Sequence, residues 1–173
     1  MQVGLGQTRV GVLVLAFLAI IPLVGRSRLA ELAPQPRPQS NEDYLSKADE
    51  TFLNYSSQLI DMGKPLNGQE AQIAWGLQGV AERTHIEVAA AVATLQIQSE
   101  ISCEADKKNA GILTSVQLSQ YYNILKPEIG QVRQLSALTK IPALAQVGLH
   151  LVDDLQSLRT RLDSARRSLL NQK

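Results

Sequence analysis

The spacing with the strongest catalytic association is Glu82-Arg83-Thr84-His85. Glutamate and histidine three residues apart on a helix share one face, which is how di-iron carboxylate bundles present metal ligands. Such a centre needs a second copy from another helix. The other histidine is His150, and three residues before it stands Val147, not glutamate. Asp153 or Asp154 with His150 would supply a ligand pair, so the carboxylate set stays incomplete. The sequence therefore predicts no metal centre and no cofactor, and places both histidines partly exposed on the surface.

Other chemistries fail sooner. No Gly-x-Ser-x-Gly turn positions a nucleophile, and the early Gly4 and Gly6 belong to an apolar leader rather than a phosphate-cradling loop. No catalytic residue is predicted, and the chain is read as non-enzymatic. Cys103 is the single cysteine, which excludes an internal disulfide. It is expected as a buried or half-buried thiol, with pairing between chains as the alternative. Asn54-Tyr55-Ser56 is an N-glycosylation sequon whose Asn54 should face solvent if the chain is exported. Tyr121 and Tyr122 are expected at the core and rim of a helix.

Composition narrows the partners. Aromatic residues make up 4% of the chain and the formal charge is +1, so there is neither a dense basic patch nor a stacking platform for nucleic acid. The near-neutral total conceals two unlike halves. Residues 42–106 hold eleven acidic and three basic side chains, and residues 107–173 hold ten basic and four acidic. Pairing of these halves within one molecule is the simpler expectation, and a homo-oligomer joined head-to-tail is the alternative.

These side chains must be positioned by the elements that the periodicity defines. Residues 10–24 are an uncharged apolar run, preceded by Arg9 and broken by Pro22. As a helix, residues 10–25 would reach roughly 24 Å, short of a hydrocarbon core of about 30 Å. Residues 1–25 are accordingly read as a secretory signal peptide, although the region before a cut at Gly25 is a poor cleavage site. Arg26 and Arg28 outnumber Arg9, which supports an uncleaved signal anchor as the alternative. Residues 26–40, with Pro34, Pro36 and Pro38, form an extended spacer.

Residues 41–173 read as one helical domain. Ser40 with Asp43 signals a helix start, and Leu45, Ala48, Phe52, Tyr55, Leu59 and Met62 form its stripe until Gly63 and Pro65 end it. Asn67 with Glu70 reads as a second capping signal, opening a helix that runs to about Glu104. Residues 86–97 of that helix are apolar on nearly all sides, so it should be the most buried of the set. Residues 104–111 are polar and end in Asn109-Ala110-Gly111, which predicts a loop. A third helix follows from about Leu113, and Pro127 kinks or restarts it. Pro142 opens the last helix, with Leu144, Val147, Leu151, Leu155, Leu158, Leu162, Ala165 and Leu169 on one stripe. No strand-type alternation is found. The fold class is all-α, an antiparallel bundle of four or five helices after an N-terminal apolar leader.

Three segments then follow a known order: Leu125-Lys126-Pro127-Glu128-Ile129, Leu138-Thr139-Lys140-Ile141-Pro142 with Gly148, and Val152-Asp153-Asp154-Leu155 with Leu158 and Leu162. With the leader and the first amphipathic helix, this resembles the fungal hydrophobic surface-binding protein A and cell-wall mannoprotein family over most of residues 43–170. The resemblance implies a secreted or cell-wall-associated helical bundle that binds hydrophobic surfaces or encloses lipids, without catalytic residues. The apolar positions best placed to line a lipid site are Val88, Val92, Leu95, Leu151, Leu155 and Leu158. The competing reading is a single-pass membrane-tethered scaffold or oligomerisation module, in which residues 10–24 are retained.

Overall fold

A computed structural model describes residues 40–171; the leader, most of the spacer and the last two residues lie outside the described residues. Four helices make up the domain: α1 (Asn41–Gly63), α2 (Gly68–Glu100), α3 (Glu104–Leu138) and α4 (Pro142–Leu170). No strand is present among the described residues.

Each helix begins where local chemistry permits. The Asp43 amide donates to Ser40 Oγ at 3.0 Å, and Glu42 and Asp43 occupy the positive end of α1. Pro142 opens α4, where its missing N–H costs no hydrogen bond. The expected cap on α2 is different: Asn67 is the N-cap residue but its side chain makes no capping bond. Glu70 does not close a capping box either. It reaches across to the α3–α4 turn, accepting from Thr139 Oγ1 at 2.5 Å and from the Lys140 amide at 2.9 Å.

The polar stretch 104–111 is the first turns of α3 rather than a loop. Glu104, Ala105, Lys107, Lys108 and Ala110 are good or adequate helix formers, and Glu104 and Asp106 suit the positive helix end. Gly111 is buried there, beside the Leu169 carbonyl of α4 and the Gln98 side chain of α2. The break between α2 and α3 falls instead at residues 101–103, with extended backbone at Ile101 and Cys103. Pro127 neither ends nor restarts α3. It and Asn123, whose carbonyl loses its helical donor, are both exposed, so water can take the place of the missing bond.

Side-chain pairs fix the arrangement. Gln78 donates to Ser56, and His85 pairs with Asp49, so α2 descends along α1. Arg83 pairs with Glu128 and Glu70 with Lys140 between α2 and α3. Arg159 meets Tyr122, and Arg166 meets Ser119, between α3 and α4. In every case one number rises as the other falls, which defines an antiparallel up-down bundle. The core is built from Leu45, Phe52 and Leu59 of α1, Leu77 and Val80 of α2, Leu118 and Leu125 of α3, and the α4 leucines. Gly148 allows α4 to approach α3 closely, because a Cβ there would collide with Ser136.

α1 is the shortest helix. The Asp49–His85 register brings Asn41 level with about Ala93, so beyond that level the bundle has three helices. Residues 86–97 are not the most deeply buried stretch: Ile97 lies beyond the end of α1, and Ile86, level with about Ala48, is on the side of α2 turned away from the core. Ile86 is 60% exposed and Ile97 66% exposed. No described helix is long and apolar enough to cross a membrane.

Candidate functional site

The residues with chemical potential do not converge. Glu82 is exposed and accepts from Gln78 Nε2 at 2.6 Å. His85 turns the other way, its Nδ1 lying 2.7 Å from Asp49 Oδ1 of α1. His150 is exposed on α4, and no group of three metal-ligating side chains gathers among the described residues. Cys103 is exposed, correcting the expectation of a buried or half-buried thiol; it sits in the link at the bundle end, where no helix covers it. Asn54 is exposed as the stripe required. Tyr121 and Tyr122 are both partly buried, and Tyr122 lies under the guanidinium of Arg159, 4.3 Å from the ring centre.

The six apolar lining candidates are distributed through the core. Val88, Leu151, Leu155 and Leu158 are buried, whereas Val92 and Leu95 are partly buried towards the three-helix end. Val88 and Leu158 share a slit with Ala91, Leu125 and Leu162 that is too narrow to admit a water molecule. The other candidates do not line this slit.

A different apolar surface lies on the outside. Residues 88–99 of α2 and 109–125 of α3 contain no charged side chain. Ile86, Ala89, Ala93 and Ile97 recur at helical spacing along the exposed side of α2. Leu113, Val116 and Ile124 do the same on α3, and Leu113 is 71% exposed. The Arg83–Glu128 pair and the closeness of Gln98 to Gly111 set the register between these helices. It places Ile97 near the level of Leu113, and Ile86 near that of Ile124. The result is an outward α2–α3 face carrying aliphatic side chains and glutamine Gln120, without charge. Trp75 lies on the same side of α2, three turns before Ile86, and is half-exposed. A separate shallow groove of about 600 Å³ lies between the start of α3 and the end of α4, where Glu104, Lys107 and Lys108 line it with Ile112 and Leu170.

Behind the face, the α2–α3 seam is polar. Glu128 is 5% exposed and accepts from Arg83 Nε at 3.1 Å and Thr84 Oγ1 at 3.4 Å. Burial pushes its carboxyl up, and the Arg83 and Thr84 contacts oppose that shift. Glu87 is half-buried, and burial with the nearby Glu128 charge pushes its carboxyl up to about 7. On the opposite side of the bundle, Tyr55 donates to Asp154 at 2.7 Å, and burial with that bond raises the phenol well above its ordinary value.

The unlike charge of the two halves is not neutralised by matching ion pairs. Among the described residues the ion pair between α1–α2 and α3–α4 is Arg83–Glu128, whose signs are the reverse of the prevailing ones. Sequence reasoning registered that residues 86–97 are apolar on nearly all sides but read this as a sign of burial. The repeated absence of charge over residues 109–125 was the signal that would have paired it with α3. No family model, curated protein or solved structure matches the chain.

Proposed function

We propose that the protein is a secreted or cell-wall-associated, non-enzymatic helical bundle that binds hydrophobic surfaces or lipids through the outward α2–α3 face. The observation that carries this reading is the uncharged exposed surface formed by Ile86, Ala93, Ile97, Leu113, Val116 and Ile124. Contiguous apolar surface of this kind marks an interaction site more often than scattered exposed leucines do. Aliphatic side chains along the uncharged stretches 88–99 and 109–125 favour an apolar phase over the phosphate backbone of nucleic acid. The likeness to hydrophobic surface-binding proteins supports the same reading, as does the leader.

The five larger side chains, Ile86, Ile97, Leu113, Val116 and Ile124, are 41–71% exposed, so the transfer of each from water contributes about 1 kcal/mol. Binding of residues 40–173 to neutral phosphatidylcholine vesicles and to alkyl-coated particles is the test, read by co-sedimentation and by the fluorescence of Trp75, the single tryptophan. The expected result is binding with a blue shift, weakened about tenfold or more by Ile97→Glu with Leu113→Glu. Equal binding by the double variant contradicts the reading.

A second reading is a membrane-tethered scaffold or oligomerisation module, favoured by Arg26 and Arg28 after the apolar run. Unpaired acidic and basic halves would then serve head-to-tail association between copies. Sequencing the mature N-terminus separates the two: a start at or after Arg26 supports export, and retention of residues 10–24 supports the tether.

A further inference from the structure

The four helices do not share their surfaces evenly. α1 packs extensively on α2 and α3 on α4, whereas α2 and α3 share less, and α1 and α4 less again. The bundle is thus two helical hairpins joined by residues 101–103, where the backbone is extended and no side chain caps the start of α3.

The seam between the hairpins holds groups that resist burial. Glu128 is buried with Arg83 and Thr84 as its partners. Glu87, one turn after Arg83, has Oε2 shut from water and bonded to nothing. The charged or titratable groups facing it are Arg83 on its own helix, and Glu128 and Tyr121 on α3. α4 presents Leu158 and Leu162 there. α1 does not contribute, since its Asp49 pairs with His85 on another side of α2. Two carboxylates beside one guanidinium leave an unbalanced negative charge in a poorly solvated seam. Burial and the Glu128 charge bring the Glu87 carboxyl up to about 7, so that imbalance comes and goes around neutral pH. Below Glu87 lies the slit lined by Val88, Leu125, Leu158 and Leu162. At the end far from the link, Glu70 ties α2 to the α3–α4 turn through Thr139 and Lys140.

We propose that the bundle parts along this seam into its two hairpins, hinged at residues 101–103, with Glu87 and Glu128 as the wedge and the Glu70 contacts as the latch. Parting is favoured above neutral pH, where Glu87 is ionised, and suppressed below it. The opened slit offers Val88, Leu125 and Leu158 to an acyl chain. That consequence rests on the apolar ligand proposed above, whereas parting itself needs no ligand.

The test is a pulsed electron-spin distance measurement on the full chain without lipid, in a Cys103→Ser background. One nitroxide pair, at Gln69→Cys and Gln134→Cys, spans the seam; a control pair, at Ser57→Cys and Gln72→Cys, lies within the α1–α2 hairpin. All four positions are exposed. Between about pH 5.5 and about pH 8.5 the long-distance population of the seam pair should rise about twofold or more, and Glu87→Gln should abolish the rise. The control pair should not change. The inference is overturned if the seam distances coincide at both pH values, if the rise persists in Glu87→Gln, or if the control pair moves with it. Because no lipid is present, failure here leaves the surface-binding reading intact, and failure to bind vesicles leaves hairpin parting intact.

Discussion

α4 and the second half of α2 are both rich in aliphatic residues, yet they meet solvent in opposite ways. α4 keeps its leucines on one stripe, with Asp153, Gln156, Arg159 and Arg167 on other sides, and Leu144, Leu151, Leu155, Leu158 and Leu162 are all buried. Residues 86–97 of α2 have almost no polar side, and both isoleucines that bound the stretch are exposed. The difference lies in the number of neighbours. A helix with one apolar stripe needs one direction of cover, and α4 has α3 along its length with α1 beside it. A helix apolar all round needs cover on every side, and α1 and α3 cover only the inner sides of α2, leaving Ile86, Ala93 and Ile97 exposed. Apolarity without a polar face therefore states a demand for burial, which this bundle leaves unmet on the α2–α3 side.

This contrast is broken most strongly in the α4 core. Leu155→Ala removes a fully buried side chain and should lower unfolding stability by about 3 kcal/mol, measured by urea denaturation. Ile97→Ala, made on the exposed face, should change stability by less than about 0.5 kcal/mol while weakening adsorption to vesicles. Equal destabilisation by the two would erase the distinction between core and outward face. A change of intermediate size is expected at the helix start, where Ser40→Ala deletes the bond to the Asp43 amide and should cost about 1 kcal/mol.

The seam sharpens the comparison through pH. The folded state raises the Glu87 carboxyl to about 7 from its ordinary value of 4.5. Its contribution to stability is then fully present below the ordinary value and is lost as pH rises through about 7. Glu87→Gln should flatten that decline and unfold at higher urea than the wild type near pH 8, with little difference near pH 4; a parallel decline in both proteins would assign the pH dependence elsewhere.

Much of the fold was legible because the stripes of α1 and α4 name their own buried faces. Ser40, Gly63, Pro65 and Pro142 mark helix limits by local rules that hold in isolation. The misreadings share one cause. Gly111 looks like a loop residue until α3 is seen to bury it beside Leu169 of α4, and Glu70 looks like a capping partner until Thr139 and Lys140 are beside it. Residues 86–97 look like a core until the helices around α2 are seen to leave its outer side uncovered. Each depends on a tertiary neighbour that no local pattern specifies. The outward face was half legible: its lack of charge could be read, but the side on which it would remain uncovered could not.

The most direct measurement is the accessibility of a nitroxide at Ala93→Cys, in the middle of the outward face, compared with one at Glu50→Cys on the exposed side of α1. Both are placed in a Cys103→Ser background and titrated with phosphatidylcholine vesicles against a water-soluble relaxation agent. The expected result is that vesicles shield the label at position 93 and leave that at position 50 accessible. Equal accessibility at the two positions, or shielding at position 50 alone, would contradict binding through the α2–α3 face.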